Sequence, residues 1–100
     1  MALTKETKNE VIEKWSRHEG DTGSPEVQIA LLTARINLLT AHIQQSRKDV
    51  HSRRGLLQMH AKRRRHLRYL SRHDLNSYKN VVESHGMRDI FDVIRHDEGN

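Results

Sequence analysis

The stretch SPEVQIALLTARINLLTAHIQQ, residues 24–45, constrains the fold of this chain more than any other segment. Ser24 offers a side-chain oxygen that can cap a helix, and Pro25 takes the first helical position, where its missing N–H costs nothing. Glu26 then sets a carboxylate near the positive end of the helix dipole. At about 100° per residue, Val27, Ala30, Leu31, Ala34, Leu38 and Ala41 fall on one face, and Ile29, Leu32, Ile36, Leu39 and Ile43 on another. A helix that is apolar on two faces must be packed on two sides, so at least two other elements have to meet it. Between the faces runs a narrow seam in which Gln28, Arg35 and His42 recur every seven residues, along one outward-looking line of the cylinder.

The remaining chain can supply those neighbours only as helices. With 100 residues and 34% apolar content the core is thin, which favours a few amphipathic helices over a layered α/β architecture. Thr4 or Thr7 can cap a first helix; Thr7 and Glu10 have capping-box spacing, and Val11, Ile12 and Trp15 form a small apolar edge. So short and weakly hydrophobic a helix is expected to dock loosely. The glycines of HEGDTGSPE mark a loop before the long helix. After it, Asp49 with Ser52 three residues on reads as the start of a third helix, with Leu56, Met59, His60, Leu67 and Leu70 on one face. Arg54, Gln58, Lys62, Arg65, Arg68, Tyr69 and Arg72 spread over the opposite side, while Arg63 lands among the apolar residues. Its stem is expected to snorkel past the core to an edge or an acid.

Asp74 can cap a fourth helix carrying Leu75, Tyr78, Val81 and Val82, and Gly86 can end it in the left-handed conformation. The expected fold is therefore all-α: a four-helix protein, three longer helices packed as an antiparallel bundle, with a short, loosely docked N-terminal helix. Residues 1–88 form one helical domain in this scheme, and residues 89–100 are a C-terminal extension with no assigned role. Ile90, Phe91, Val93 and Ile94 give that extension enough apolar surface for an amphipathic turn or two, and too little for a domain.

Charge points to the partner. Residues 47–72, RKDVHSRRGLLQMHAKRRRHLRYLSR, hold ten Lys or Arg and a single acid, Asp49, in a chain of net charge +5 and pI near 10. A solvated helix face usually mixes its signs. Here they are not mixed, and arginine, the commoner cation of the segment, carries a planar fork suited to phosphate. A nucleic acid is the favoured partner. Asp49 has two readings: helix capping alone accounts for it, and so does acceptance from an exocyclic amine of a base, with Ser52 and His42 beside it. Both can hold at once. Base edges want such a mixture of donors and acceptors, whereas sequence-blind phosphate binding wants cations only.

Other chemistries find little support. No cysteine is present, so there is no disulfide framework or thiolate metal site, which is compatible with a reducing cytosol. None of the eight histidines is spaced i, i+4 as in a helical zinc site, and neither metal nor cofactor is expected. The sequence holds no nucleophile elbow, no phosphate-cradling glycine loop and no poised carboxylate pair, so neither an enzyme nor a small-molecule substrate is expected. No apolar run could span a membrane, and MALTKETKNE lacks the apolar core of a signal peptide, so a soluble, untargeted protein is expected. The competing class is a generic basic helical module, binding DNA as a bundle or lying on a membrane. A membrane-lying helix would need to free Leu56, Leu67 and Leu70, which the bundle uses.

DTGSPEVQ at 21–28, KDVHSRRGLL at 48–57 and RRRHLRYL at 63–70, at this spacing, resemble the signature of the bacterial small-subunit ribosomal protein family numbered fifteen. The resemblance covers residues 4 to 88 and implies a four-helical, cytoplasmic, ribosome-bound primary binder of 16S ribosomal RNA. It implies recognition of a three-way helical junction and of a nearby minor-groove site with a G·U pair next to G·C. Carried over by position, Thr22, Gly23, Gln28, Tyr69 and Arg72 meet the junction, with Arg35 beside them. His42, Asp49 and Ser52 meet the minor-groove pairs, and Arg64 and Arg65 touch the phosphate backbone. Further implied partners are 23S ribosomal RNA at an intersubunit bridge, other small-subunit proteins through shared RNA, and, in some members, the protein's own messenger. Members often carry histidine where this chain has Ser46 and Val50, so contacts from that inter-helix loop are expected to differ here.

Overall fold

The computed structural model describes residues 3–21, 23–46 and 48–87. They form α1 (Lys5–Trp15), α2 (Pro25–Gln45), α3 (Val50–His73) and α4 (Leu75–Ser84), with no strand among the described residues. Each start is fixed by a side chain that accepts the amide of the third helical residue. Ser24 Oγ accepts from Val27 N at 3.4 Å, Asp49 Oδ1 from Ser52 N at 3.0 Å, and Asp74 Oδ1 from Ser77 N at 3.1 Å. At α1 it is Thr4 that accepts, from Thr7 N at 3.1 Å, so the capping-box spacing of Thr7 and Glu10 is not used. Asp74 alone separates α3 from α4: its backbone N–H closes α3 on Leu70 O at 2.8 Å while its carboxylate opens α4. Gly86 ends α4 at φ 63°, and Gly86 N and Met87 N bond back to Glu83 O and Val82 O in the Schellman pattern.

Helices α2 and α3 run antiparallel, and a ladder of contacts fixes their register. Ile29 packs with Leu67 and Leu70; Arg63 Nη1 donates to Thr33 Oγ1 at 3.2 Å; His42 and Asp49 meet at the turn. Gly55 lies close to Leu39, whose Cδ2 would sit 3.8 Å from a Cβ at that glycine. The core of Ile29, Leu67, Leu70, Tyr78, Val81 and Val82 sits where α2 begins and α3 ends, closed by α4, with Trp15 and Met87 packed against it. Toward the α2–α3 turn the buried residues thin to Ile36 and Leu39.

The packing departs from the helical-wheel expectation at three places. The face of α2 that begins at Val27 is buried only through Leu31; Leu38 is 40% exposed and Ala41 is exposed. The cause is length, since the 11 residues of α1 cannot match the 21 of α2. Leu75, the first residue of α4, is 46% exposed, so only Tyr78, Val81 and Val82 of that helix enter the core. Arg63 does leave the apolar face as a snorkelling side chain, but it reaches a hydroxyl rather than an acid. Helix α1 has no buried residue and is held by the edge that includes Trp15, whose ring stacks on His85 at 4.7 Å.

Candidate nucleic-acid interface

At the turn between α2 and α3, three of the residues singled out in the sequence come together. Asp49 Oδ2 lies 3.0 Å from His42 Nε2 and accepts from Ser52 Oγ at 2.5 Å, while Oδ1 accepts from Ser52 N. The hydrogen bonds from Ser52, and then that from His42, hold the Asp49 carboxyl well below the usual carboxylate range. All three side chains are half-buried, so each keeps an edge open to solvent. The result is a fixed row of an imidazole, a carboxylate and a hydroxyl, able to donate and accept across a shallow groove. Asp49 caps its helix and faces a histidine at once, so its two readings are compatible in one geometry.

The opposite end of the α2–α3 pair carries Gly23, Gln28, Tyr69 and Arg72. Antiparallel packing of Ile29 with Leu67 and Leu70 brings the start of α2 beside the end of α3 and so gathers these residues at one end of the bundle. Thr22 lies outside the described residues. Tyr69 is 54% exposed and its ring sits on His73 of its own helix, 4.1 Å between centroids, rather than against α4. Arg72 is exposed, and Gln28 and Arg35 are half-buried along the seam of α2. Gly23 is exposed, with nothing within 4 Å of where a Cβ would stand, so a partner's backbone can approach it closely.

One organiser of that end had not been foreseen. Asp21 is 5% exposed and gathers the loop, accepting from Arg17 N at 2.9 Å through Oδ2 and from Gly23 N at 3.1 Å and Ser24 N at 3.0 Å through Oδ1. The Arg17 amide, followed by Ser24, holds its carboxyl well below the usual range. A second acid, Glu26, is 5% exposed and takes the Arg17 guanidinium at 3.3 Å. The available sequence signal was an Asp followed by a glycine and a helix-capping serine, the pattern of an Asx turn.

Between the two ends lies the cationic surface of α3. Arg64 and Arg65 are exposed, as are Arg53, Arg54, Lys62 and Arg68. Among the described residues, the close acid–base contacts are Arg17 with Glu26 and His42 with Asp49, so none of these α3 cations has an acidic partner there. Unpaired arginines on one helix repel one another and lower that cost by meeting an anion. No group of residues able to hold a metal ion occurs among the described residues, and no helix there is long and apolar enough to cross a membrane.

Residues 8–88 match the family described as Ribosomal protein S15. A protein of Carboxydothermus hydrogenoformans named small ribosomal subunit protein uS15 is 58% identical over 88 residues, which is 88% of this chain and 99% of that protein. The equally named proteins of Desulforamulus reducens and Trichlorobacter lovleyi are each 57% identical, over 88% and 86% of this chain and over 99% and 98% of their own lengths. Agreement this close, running nearly end to end through each relative, joins a fold of four helices among the described residues whose exposed α3 cations have no acidic partner there, and the chain belongs to the Ribosomal protein S15 family.

Proposed function

We propose that the chain is a primary binder of 16S ribosomal RNA that grips a three-way junction at one end and a minor-groove site at the other. As a member of its family it is a structural constituent of the small ribosomal subunit in the cytoplasm and not an enzyme. The observation that carries the finer reading is the His42–Asp49–Ser52 row, a set of mixed donors and acceptors that phosphate binding alone would not need. An A-form minor groove is wide and shallow and presents 2′-hydroxyls and base edges within reach of such side chains. His42, Asp49 and Ser52 read the G·U and G·C pairs, while Thr22, Gly23, Gln28, Arg35, Tyr69 and Arg72 hold the junction. Gln28 and His42 are 14 residues apart on α2, about 21 Å at 1.5 Å per residue. Arg64 and Arg65 meet phosphates between the two sites.

The mechanism is differential binding. A rigid α2–α3 pair with two fixed patches favours the junction whose helices present both sites at the matching separation, and it stabilises that geometry only as far as it prefers it. Contacts with 23S ribosomal RNA at an intersubunit bridge, with other small-subunit proteins through shared RNA and with the chain's own messenger belong to the same reading. Their support is the family resemblance. Neutralising about six phosphates gives a log–log salt slope of roughly −4 to −5.

The test is a titration against a small-subunit junction fragment, the same fragment with the junction opened and the G·U pair replaced, and a DNA duplex, each at two salt concentrations. The intact junction is expected to bind tightest, with His42→Ala and Arg72→Ala each narrowing the margin. Equal binding of all three, governed by salt alone, would make α3 a generic polyanion surface and overturn both patches.

A further inference from the structure

A groove of about 310 Å³ lies between α1 and α2, lined by Glu10, Lys14 and Trp15 on one side, Ala34 and Asn37 on the other, and His85 beyond α4. That is about twice the ~150 Å³ that holds a benzene ring. Leu38, 40% exposed, stands one turn beyond Ala34 on the same face of α2, and exposed Ala41 prolongs the strip beyond the reach of α1. Nothing among the described residues covers it.

The chain itself arrives at this groove. His85 lines the groove, the Schellman cap at Gly86 turns the backbone, and Met87 packs against the core, so the described chain ends two residues beyond the groove lining. They read RDIFDVIRHDEGN. Ile90, Phe91, Val93 and Ile94 have the i, i+1, i+3, i+4 spacing of one helical stripe, and Asp89 and Asp92 stand among them. From Met87, Ile90 to Ile94 lie 3 to 7 residues on, which an extended chain spans in about 10 to 23 Å. Ala34 to Ala41 is a helix distance of only about 10 Å. The charges of the lining balance, Glu10 against Lys14, so reach and apolar matching carry the fit. The family match ends at residue 88, so the segment is an addition of this chain.

We propose that residues 89–96 fold back onto the α1–α2 groove as an amphipathic strap, with Ile90 and Phe91 entering beside Trp15 and Ala34 and with Val93 and Ile94 covering Leu38. The strap ties α1, which has no buried residue of its own, to the bundle. It is independent of any RNA contact.

The chain has no cysteine, so engineered pairs report proximity without background. A disulfide closes only where the two Cα atoms come within about 7 Å. Phe91→Cys would be combined with Ala34→Cys, with Asn37→Cys, and with Ala61→Cys on the exposed side of α3, and each full-length pair oxidised under the same mild conditions. The strap predicts intrachain closure at Ala34 or Asn37 at least tenfold faster than at Ala61. Equal rates at all three sites, faster closure at Ala61, or disulfides only between chains would overturn it. Emission of Trp15, the one tryptophan, gives a second measure without cysteine. Phe91→Asp is expected to shift that emission to the red and raise its access to a soluble quencher severalfold, and no change in either would overturn the proposal.

Discussion

Asp49 shows how two roles of one side chain can be separated. Asparagine caps a helix nearly as well as aspartate but carries no charge, so Asp49→Asn keeps the start of α3 and weakens the charge-assisted bonds with His42 and Ser52. Its urea midpoint is expected to stay close to the parent's while affinity for the junction fragment falls by about tenfold; Asp49→Ala should lose both. An Asp49→Asn variant that binds RNA like the parent would leave the acid as a cap alone. The cap was legible in the sequence, because Asp with Ser three residues later precedes an apolar-periodic run. That His42 would reach the same carboxylate was not, since a seven-residue separation across a turn sets no distance until the turn is built. Asp21 was missed for a related reason: a lone Asp in a glycine-containing loop looks solvated until three backbone amides are seen to converge on it.

For the helices, periodicity told which faces are apolar and not how much of each a neighbour covers. The basic side of α3 came out exposed residue by residue, and the buried Leu67 and Leu70 lie on the face assigned to the core. The two-sided burial of α2 failed beyond Leu31 because a wheel holds no information on the length of the helix packed against it. Arg63 was equally half-legible, since snorkelling follows from its apolar setting but a hydroxyl partner 30 residues away does not. That bond allows a test of the α2–α3 seam. Thr33→Val takes the acceptor from Nη1 of a guanidinium already shifted downward by burial, leaving Nη2 facing His60 Nδ1 at 3.5 Å, and should cost about 1 kcal/mol. Arg63→Met removes the charge together with its need, and is expected to be neutral or mildly stabilising. Urea unfolding of both and of the double variant would show non-additivity, whereas strict additivity would mean that the bond contributes nothing. For comparison, Leu70→Ala in the core should cost about 2–5 kcal/mol, while Leu57→Ala, at a residue 71% exposed, should stay within about 0.5 kcal/mol.

Across the whole molecule, acidity should weaken the fold in two separate steps. His60, His66 and His85 are all held below the ordinary histidine value of 6.5, first by burial and then by nearby cations: Arg63 and Arg64 for His60, Lys62 and Arg65 for His66, Lys14 and Arg63 for His85. The unfolded chain therefore binds more protons than the folded one just below pH 6.5, and stability falls as pH drops through that window. Asp21 and Asp49 act in a separate window. Held below the ordinary 3.8, they contribute stability that is present above that pH and lost beneath it. Urea unfolding between pH 8 and pH 3 should therefore show two declines with a flatter region between them. His85→Phe, which keeps a ring against Trp15, should shrink the first decline and leave the second unchanged. Binding should not gain charge from these three histidines in the same window, because the burial and cations that hold them below 6.5 keep them neutral in the folded chain while the unfolded chain takes up protons. A first decline of full size in His85→Phe would exclude that histidine as a cause of the acid sensitivity, whereas a shrunken one would locate part of it where α4 ends against Trp15.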